Sequence, residues 1–403
     1  MRIIFLCLAA LAIAPTHAQN KTAGLDANYR RSSLYKLMVD DPARPFADVI
    51  KASFVNGPLQ DKFNDHNMAI RTIPSSGAKD EAENIGAFIQ ANHIARDVVA
   101  KWFNRSAKGG FNMELIQQRG NYAASAFDIT KSKMTKRGPA ALADAGEELI
   151  KNTFILVNDF RYVSKEEVAK KASSWLKVAG ELGESAGVKG ANSIASTSSD
   201  ALNVVGKGYV VKTTAHLFRL DWNEEVAAIF YNDFWADDKT ITPEKKKAFE
   251  ESNIFNLVYV GSDVSWADVQ STTYSTKTDQ ELIERATNKA VDAVIVELQK
   301  NHDEFKTKTP LFSSEPLTAK IGMKEGLTAK SKFDVMELRM DADGNSTYVD
   351  VGTIKIDDSQ PIWDNRYGAT DENPGSTVDR TYFKKVSGKD FYPGMLIVQK
   401  KGK

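Results

Sequence analysis

At Pro310 the apolar pattern of this 403-residue chain changes period. Upstream, helical spacing alternates with β runs; downstream, short β runs punctuated by glycine remain. That change predicts an α+β protein, an α/β sandwich domain followed by a small SH3-like β-barrel. The expected organisation is a signal peptide at 1–18, a weakly patterned leader at 19–80, an α/β domain at 81–310 with an Ala/Ser/Gly-rich insertion at 164–207, and the barrel at 311–403. The clearest helix opens at Thr278, which forms a capping box with Glu281, and carries Leu282, Ile283, Ala286, Ala290, Val294 and Leu298 as a stripe to lie against the sheet.

The remaining elements follow from periodicity. A short helix from Phe46 to Phe54 ends at Gly57-Pro58, and one long helix is expected over Glu83–Phe103. Phe111–Tyr122 reads as a strand, Ala140–Ile150 as a helix, Phe154–Val157 as a buried strand, and Ser164 with Glu167 as the cap of a further helix. Gly208–Leu220 and Val226–Tyr231 read as an antiparallel pair around Asp221–Glu225, with a third strand at Phe255–Val260. In the barrel the expected strands are Ala319–Met323, Phe333–Met340, Thr347–Ile356, Thr381–Val386 and Met395–Gln399.

Arg2, the apolar run Ile3–Ile13 and Thr16-His17-Ala18 have the order of a secretory leader, so export is expected with cleavage before Gln19. Cys7 is the only cysteine and lies inside that run, which places it wrongly for a lipobox; its removal leaves no disulfide, thiolate metal site or cysteine nucleophile. Lys+Arg and Asp+Glu balance at 53 each, which argues against a nucleic-acid partner. No later segment is apolar enough to cross a bilayer as a helix, and peripheral membrane contact stays open.

Gly183-Glu184-Ser185-Ala186-Gly187 has the letters of a nucleophile elbow, with His216 or His302 downstream. It lacks the preceding buried strand and the upstream oxyanion element, so the context favours no nucleophile. Asp341, Asp343 and Asn345 alternate as calcium ligands do, but Gly344 stands fourth where the loop requires glycine sixth, and a hairpin turn explains them better. His66, His93, His216 and His302 have no paired metal spacing, and no nucleotide-binding fingerprint is present, so no metal or cofactor is expected. Lys131, Lys133, Lys136 and Arg137 read as a solvated basic loop. The binding candidates are His216, which shares a strand face with Lys212, Thr214 and Phe218, and Trp222 with Trp235 beside one hairpin, for which core burial is the alternative. Gly180, Gly183, Gly187 and Gly190 would align on one helical face for self-association, against the plainer reading of a loosely ordered insertion.

With that order of elements, residues 83–303 resemble the periplasmic α/β domain of the curli secretion lipoprotein and flagellar assembly protein T. The likeness rests on Met113-Glu114-Leu115-Ile116-Gln117-Gln118-Arg119 as a strand ending in arginine, and on Ala143–Ile150 running into Thr153–Val157. The tail, Ala319–Leu327 through Val351–Ile356, is similar to the small barrel that ends flagellar assembly protein T, and the whole chain resembles exported proteins of Bacteroidetes-type bacteria. The resemblance implies a non-catalytic cell-envelope protein, a scaffold that self-associates or binds a protein partner in the periplasm or at the outer-membrane periphery. The alternatives are a serine hydrolase centred on Ser185 and a surface adhesin binding through the barrel.

Overall fold

The computed structural model describes residues 32–60, 62–78, 80–123, 149–164, 208–270, 277–340 and 346–400. The protein is α+β. Its first sheet has six strands, and the strand at its heart comes from the segment expected as a leader. This strand, β1 (Ser32–Asp40), runs parallel to β2 (Phe63–Asp65), β3 (Thr72–Pro74) and β4 (Thr153–Ser164). Antiparallel β5 (Gly208–Leu220) and β6 (Leu257–Gln270) complete the order β2-β1-β4-β5-β6, with β3 also on β1. Strand β1 is buried on both faces, so Leu34, Tyr35, Leu37, Met38 and Val39 are apolar without a clean alternation, interrupted only by Lys36, itself buried, whose Nζ donates to the Pro58 carbonyl at 2.9 Å.

Helices cover both faces. On one, α1 (Ala47–Asn56) and α7 (Asp279–Asn301) close over Leu34, Leu156, Phe160, Ala215 and Leu217. The capping box of α7 is formed, with Glu281 N donating to Thr278 Oγ1 at 3.3 Å and Thr278 N to Glu281 Oε2 at 2.7 Å, and its expected stripe is buried. On the other face lie α2 (Ala82–Ala91), α3 (Ile94–Trp102), α4 (Glu114–Ala123), α5 (Glu224–Ile229) and α6 (Pro243–Glu250). They close over Tyr35, Leu37, Ile155, Val157, Phe218 and Leu220.

Three expected elements of this first part differ. The single helix over Glu83–Phe103 is two, because His93 takes a left-handed conformation (φ 49°), which lets both Ile85/Ile89 and Val98/Trp102 reach the core. The strand over Phe111–Tyr122 is helix α4, whose Glu114 amide donates to Asn112 Oδ1 at 3.0 Å. The strand over Val226–Tyr231 is helix α5, capped by Asn223, which accepts from Val226 N at 3.0 Å, and it continues into a π-helical turn at Phe230–Phe234. Ser164 ends β4 and caps no described helix, while Glu167 and the insertion to 207 lie outside the described residues, as do Ala140–Glu148.

Past Pro310 the chain forms a second, antiparallel sheet that curls as an open half-barrel. Its strands are β7 (Lys308–Pro310), β8 (Ser313–Ser314), β9 (Leu317–Ala319), β10 (Lys332–Met340), β11 (Ser346–Ile356), β12 (Thr381–Gly388) and β13 (Leu396–Gln399). The order is β7-β13-β10-β11-β12-β9-β8. The expected strand at Ala319–Met323 stops at Ala319, and a 3-10 turn follows at Met323–Glu325. Phe333, Val335, Ile354, Ile356, Phe383 and Ile397 make the core. Helix α7 joins the two parts: Arg285 Nη1 pairs with Asp371 at 2.8 Å and Asp292 lies 3.9 Å from Lys324.

Candidate functional site

Trp222 and Trp235 enter an aromatic cluster. Phe230 is its centre, fully buried, with Phe103 stacked at 4.3 Å between centroids and Trp222 at 5.7 Å. Trp235 stacks on Phe111 at 6.0 Å and meets Phe103 edge-on at 5.7 Å. Edge-to-face and offset contacts of this kind are the favoured aromatic geometries, and they occupy the rings that sequence offered to a partner. Both tryptophans therefore pack against the core beneath the π-turn and stay partly exposed.

His216 is buried as well, at 5% exposure, beside Tyr259 at 6.3 Å between centroids. Its strand-face neighbours Lys212 and Phe218 are also buried, while Thr214 between them is partly exposed and Tyr259 is 50% exposed. His302 pairs with Asp263 at 2.9 Å, His93 makes the break between α2 and α3, and Ser185 with the four glycines 180, 183, 187 and 190 lies outside the described residues, as do the basic loop and Asp341–Asn345.

A polar cluster that periodicity did not reveal joins His66, Arg119, Ser33 and Trp102. Arg119 is 5% exposed and donates to His66 Nδ1 at 2.7 Å, Ser33 Oγ at 2.9 Å and the Asp65 carbonyl at 2.6 Å, with its guanidinium 4.4 Å from the Trp102 ring centroid. Because Nδ1 accepts, Nε2 carries the proton and donates to the Val98 carbonyl at 3.0 Å. Both imidazole nitrogens are committed, which leaves His66 no lone pair for a metal or a substrate proton. Burial pulls the Arg119 pKa down to about 10, so it stays charged at neutral pH.

His66 and His216 are both held neutral. Burial is the main cause in each, and the Arg119 charge adds to it at His66. Unfolded, both would titrate near 6.5; folded, they resist protonation to lower pH. As pH falls below about 6.5 the unfolded chain takes up protons the folded chain refuses, so stability drops by up to about 1.4 kcal/mol per pH unit for each histidine, and the contribution is complete above that pH. Asp97 and Asp292, whose carboxyl pKa values burial raises, work in the opposite sense. The comparison that isolates the imidazole is therefore between wild type and His216→Asn: the urea midpoint is expected to fall less steeply from pH 7 to 5.5 in the variant. Equal slopes would mean that His216 protonates freely in the fold.

The second feature is an arm. Strand β13 pairs with β10 over Phe333–Met336 only, and β12 pairs with β11 over Gly352–Ile356 only. Beyond those limits, among the described residues, β10 and β11 continue as two strands alone, pairing Glu337 with Val349 and Leu338 with Tyr348. A bulge sits where the arm begins, with Val335 opposite Gly352 but Met336 opposite Asp350. Val335 and Phe333 are fully buried on the inner side; by alternation Glu337 and Arg339 follow them inward, and Met336 and Leu338 face outward. The arm is thus patterned inside out relative to its own sheet. Tyr348, opposite Leu338, is 48% exposed, and on the inner side Tyr392 Oη donates to Glu337 Oε1 at 3.1 Å.

Among the described residues no group of three or more His, Cys, Asp or Glu side chains could hold a metal ion. None of the helices described is long and apolar enough to cross a membrane. No protein-family model matches the chain, and no curated protein matches it significantly.

Proposed function

We propose that the protein is an exported, non-catalytic assembly protein of the periplasm or outer-membrane periphery. Its α/β sandwich is the rigid body, and its C-terminal sheet, read finely as a small SH3-like barrel, docks a protein partner through the arm. The observation that carries this reading is the inverted patterning of β10, where Met336 and Leu338 face away from the core that Phe333 and Val335 fill. Two strands alone are marginal in water, and an apolar outer face on such an arm gains most from burial against another chain. The leader at Arg2–Ala18 and the resemblance of the domain order to envelope assembly proteins support the same reading.

A photo-crosslinking amino acid placed at Leu338 or Tyr348 in the producing cell tests it, with the exposed Glu224 as the control position. The expected result is a discrete adduct from both arm positions and none from the control, on a chain whose first residue is Gln19. Equal background at all three positions, or a chain still carrying Met1, would contradict the proposal.

A further inference from the structure

We infer that the arm's first occupant is a second copy of this chain, added edge to edge and antiparallel about a two-fold axis through Leu338. This rests on the reading of the arm as the docking element and adds which chain fills it. Strand β13 begins at Leu396, opposite Met336, and runs toward Phe333, so the outer edge of β10 from Glu337 onward has no strand beside it among the described residues. Such an edge is a template for a further strand.

The charges on that edge select the partner. With the axis at Leu338, Glu337 lies opposite Arg339 of the copy and Arg339 opposite its Glu337, while Leu338 meets Leu338. Opposite charges directly across an antiparallel pair stabilise it and like charges oppose it. Moving the axis one residue either way sets Glu337 or Arg339 against itself, so the register is specified as well as the partner. Within one chain Arg339 Nε already lies 2.6 Å from Glu337 Oε2, and the two side chains sit at 57% and 24% exposure. Association exchanges that contact for two across the axis. The product is an isologous four-stranded ribbon over Glu337–Arg339, β11-β10 followed by its symmetry mate and bounded at Met336, whose edge Leu396 already fills; it exceeds the two strands that are marginal alone and merges the outer faces carrying Leu338 and Tyr348.

The test is light scattering on the mature chain across a wide concentration range, with Glu337→Arg, Arg339→Glu and the double exchange. The wild type is expected to pass from monomer to dimer. Each single exchange turns two attractive pairs repulsive and weakens the dimer at least about tenfold, whereas the double exchange restores it and an equimolar mixture of the two single variants forms a mixed dimer. Far-UV circular dichroism and melting temperature check that each variant is folded. A wild type that stays monomeric throughout overturns the inference, as do single variants that dimerise as the wild type does. If the wild type is monomeric yet position 338 captures another polypeptide in the cell, the self-pairing fails while the docking role of the arm stands.

Discussion

Replacing Arg119 with methionine is expected to lower the unfolding free energy by about 3–5 kcal/mol, among the largest losses any single substitution in this chain should produce. The thioether fills much of the volume but donates nothing. It leaves His66 Nδ1, the Ser33 hydroxyl and the Asp65 carbonyl without the donor each now has, and all three sit around a side chain at 5% exposure. The cation over the Trp102 ring is lost at the same time. Lysine should rescue only partly, because one ammonium on a flexible stem cannot reproduce the planar fork that reaches three acceptors. Urea unfolding at pH 7.5 measures both variants. A loss under about 1 kcal/mol for Arg119→Met would mean that water reaches these groups and that the cluster is not the closed network described.

Phe230→Ala is expected to cost a similar amount, about 3–5 kcal/mol, for a different reason. The ring is fully buried and touches Phe103, Phe111, Trp222, Tyr231, Trp235, Phe249 and Phe255, with centroids from 4.3 to 6.4 Å. These residues come from the ends of α3 and α6, the loop between α3 and α4, the segments flanking β5 and β6, and the π-turn itself, so the cavity cannot collapse by moving one element. The near-UV circular dichroism of Trp222 and Trp235 should weaken along with stability, since their orientation is set by the missing ring. Retained tryptophan signals and a loss below about 1.5 kcal/mol would show that the π-turn packs independently of Phe230.

What could be read from the sequence follows from where the physical signal is local. Helix α7 was legible because its cap, Thr278 with Glu281, and its stripe from Leu282 to Leu298 lie within one continuous segment. Strands β10 to β13 were legible for the same reason. Strand β1 was not: buried on both faces, it has no alternation, and the short β2 and β3 beside it declare themselves only through pairing, whereas the core of β4, Phe154–Val157, was legible as a buried apolar run. Helices α4 and α5 read as strands in the sequence because their start signals, Asn112 and Asn223, are single polar residues just ahead of short apolar runs.

The candidate sites divide likewise. His216, Trp222 and Trp235 carry the right chemistry for binding, but packing from other elements buries His216 and draws the two tryptophans part-way into the core, and no local pattern announces that. His66 and Arg119 are 53 residues apart and meet only because β2 and α4 converge on the same end of β1. The arm, by contrast, is written in six consecutive residues. In Phe333-Asp334-Val335-Met336-Glu337-Leu338 the apolar parity switches between Val335 and Met336, at the bulge that starts the arm, and it is visible once the run is taken as two registers instead of one strand.

Hydrogen exchange of the arm's backbone amides shows whether β10 and β11 extend past their sheet as a docking element completed by another chain. In dilute solution residues 337–340 and 346–351 are expected to exchange far faster than Phe333–Met336, which β13 covers, and to become protected as concentration rises. Protection equal to that of Phe333–Met336 in the dilute chain, unchanged by concentration, would contradict it, because the arm would then already be covered from within its own chain.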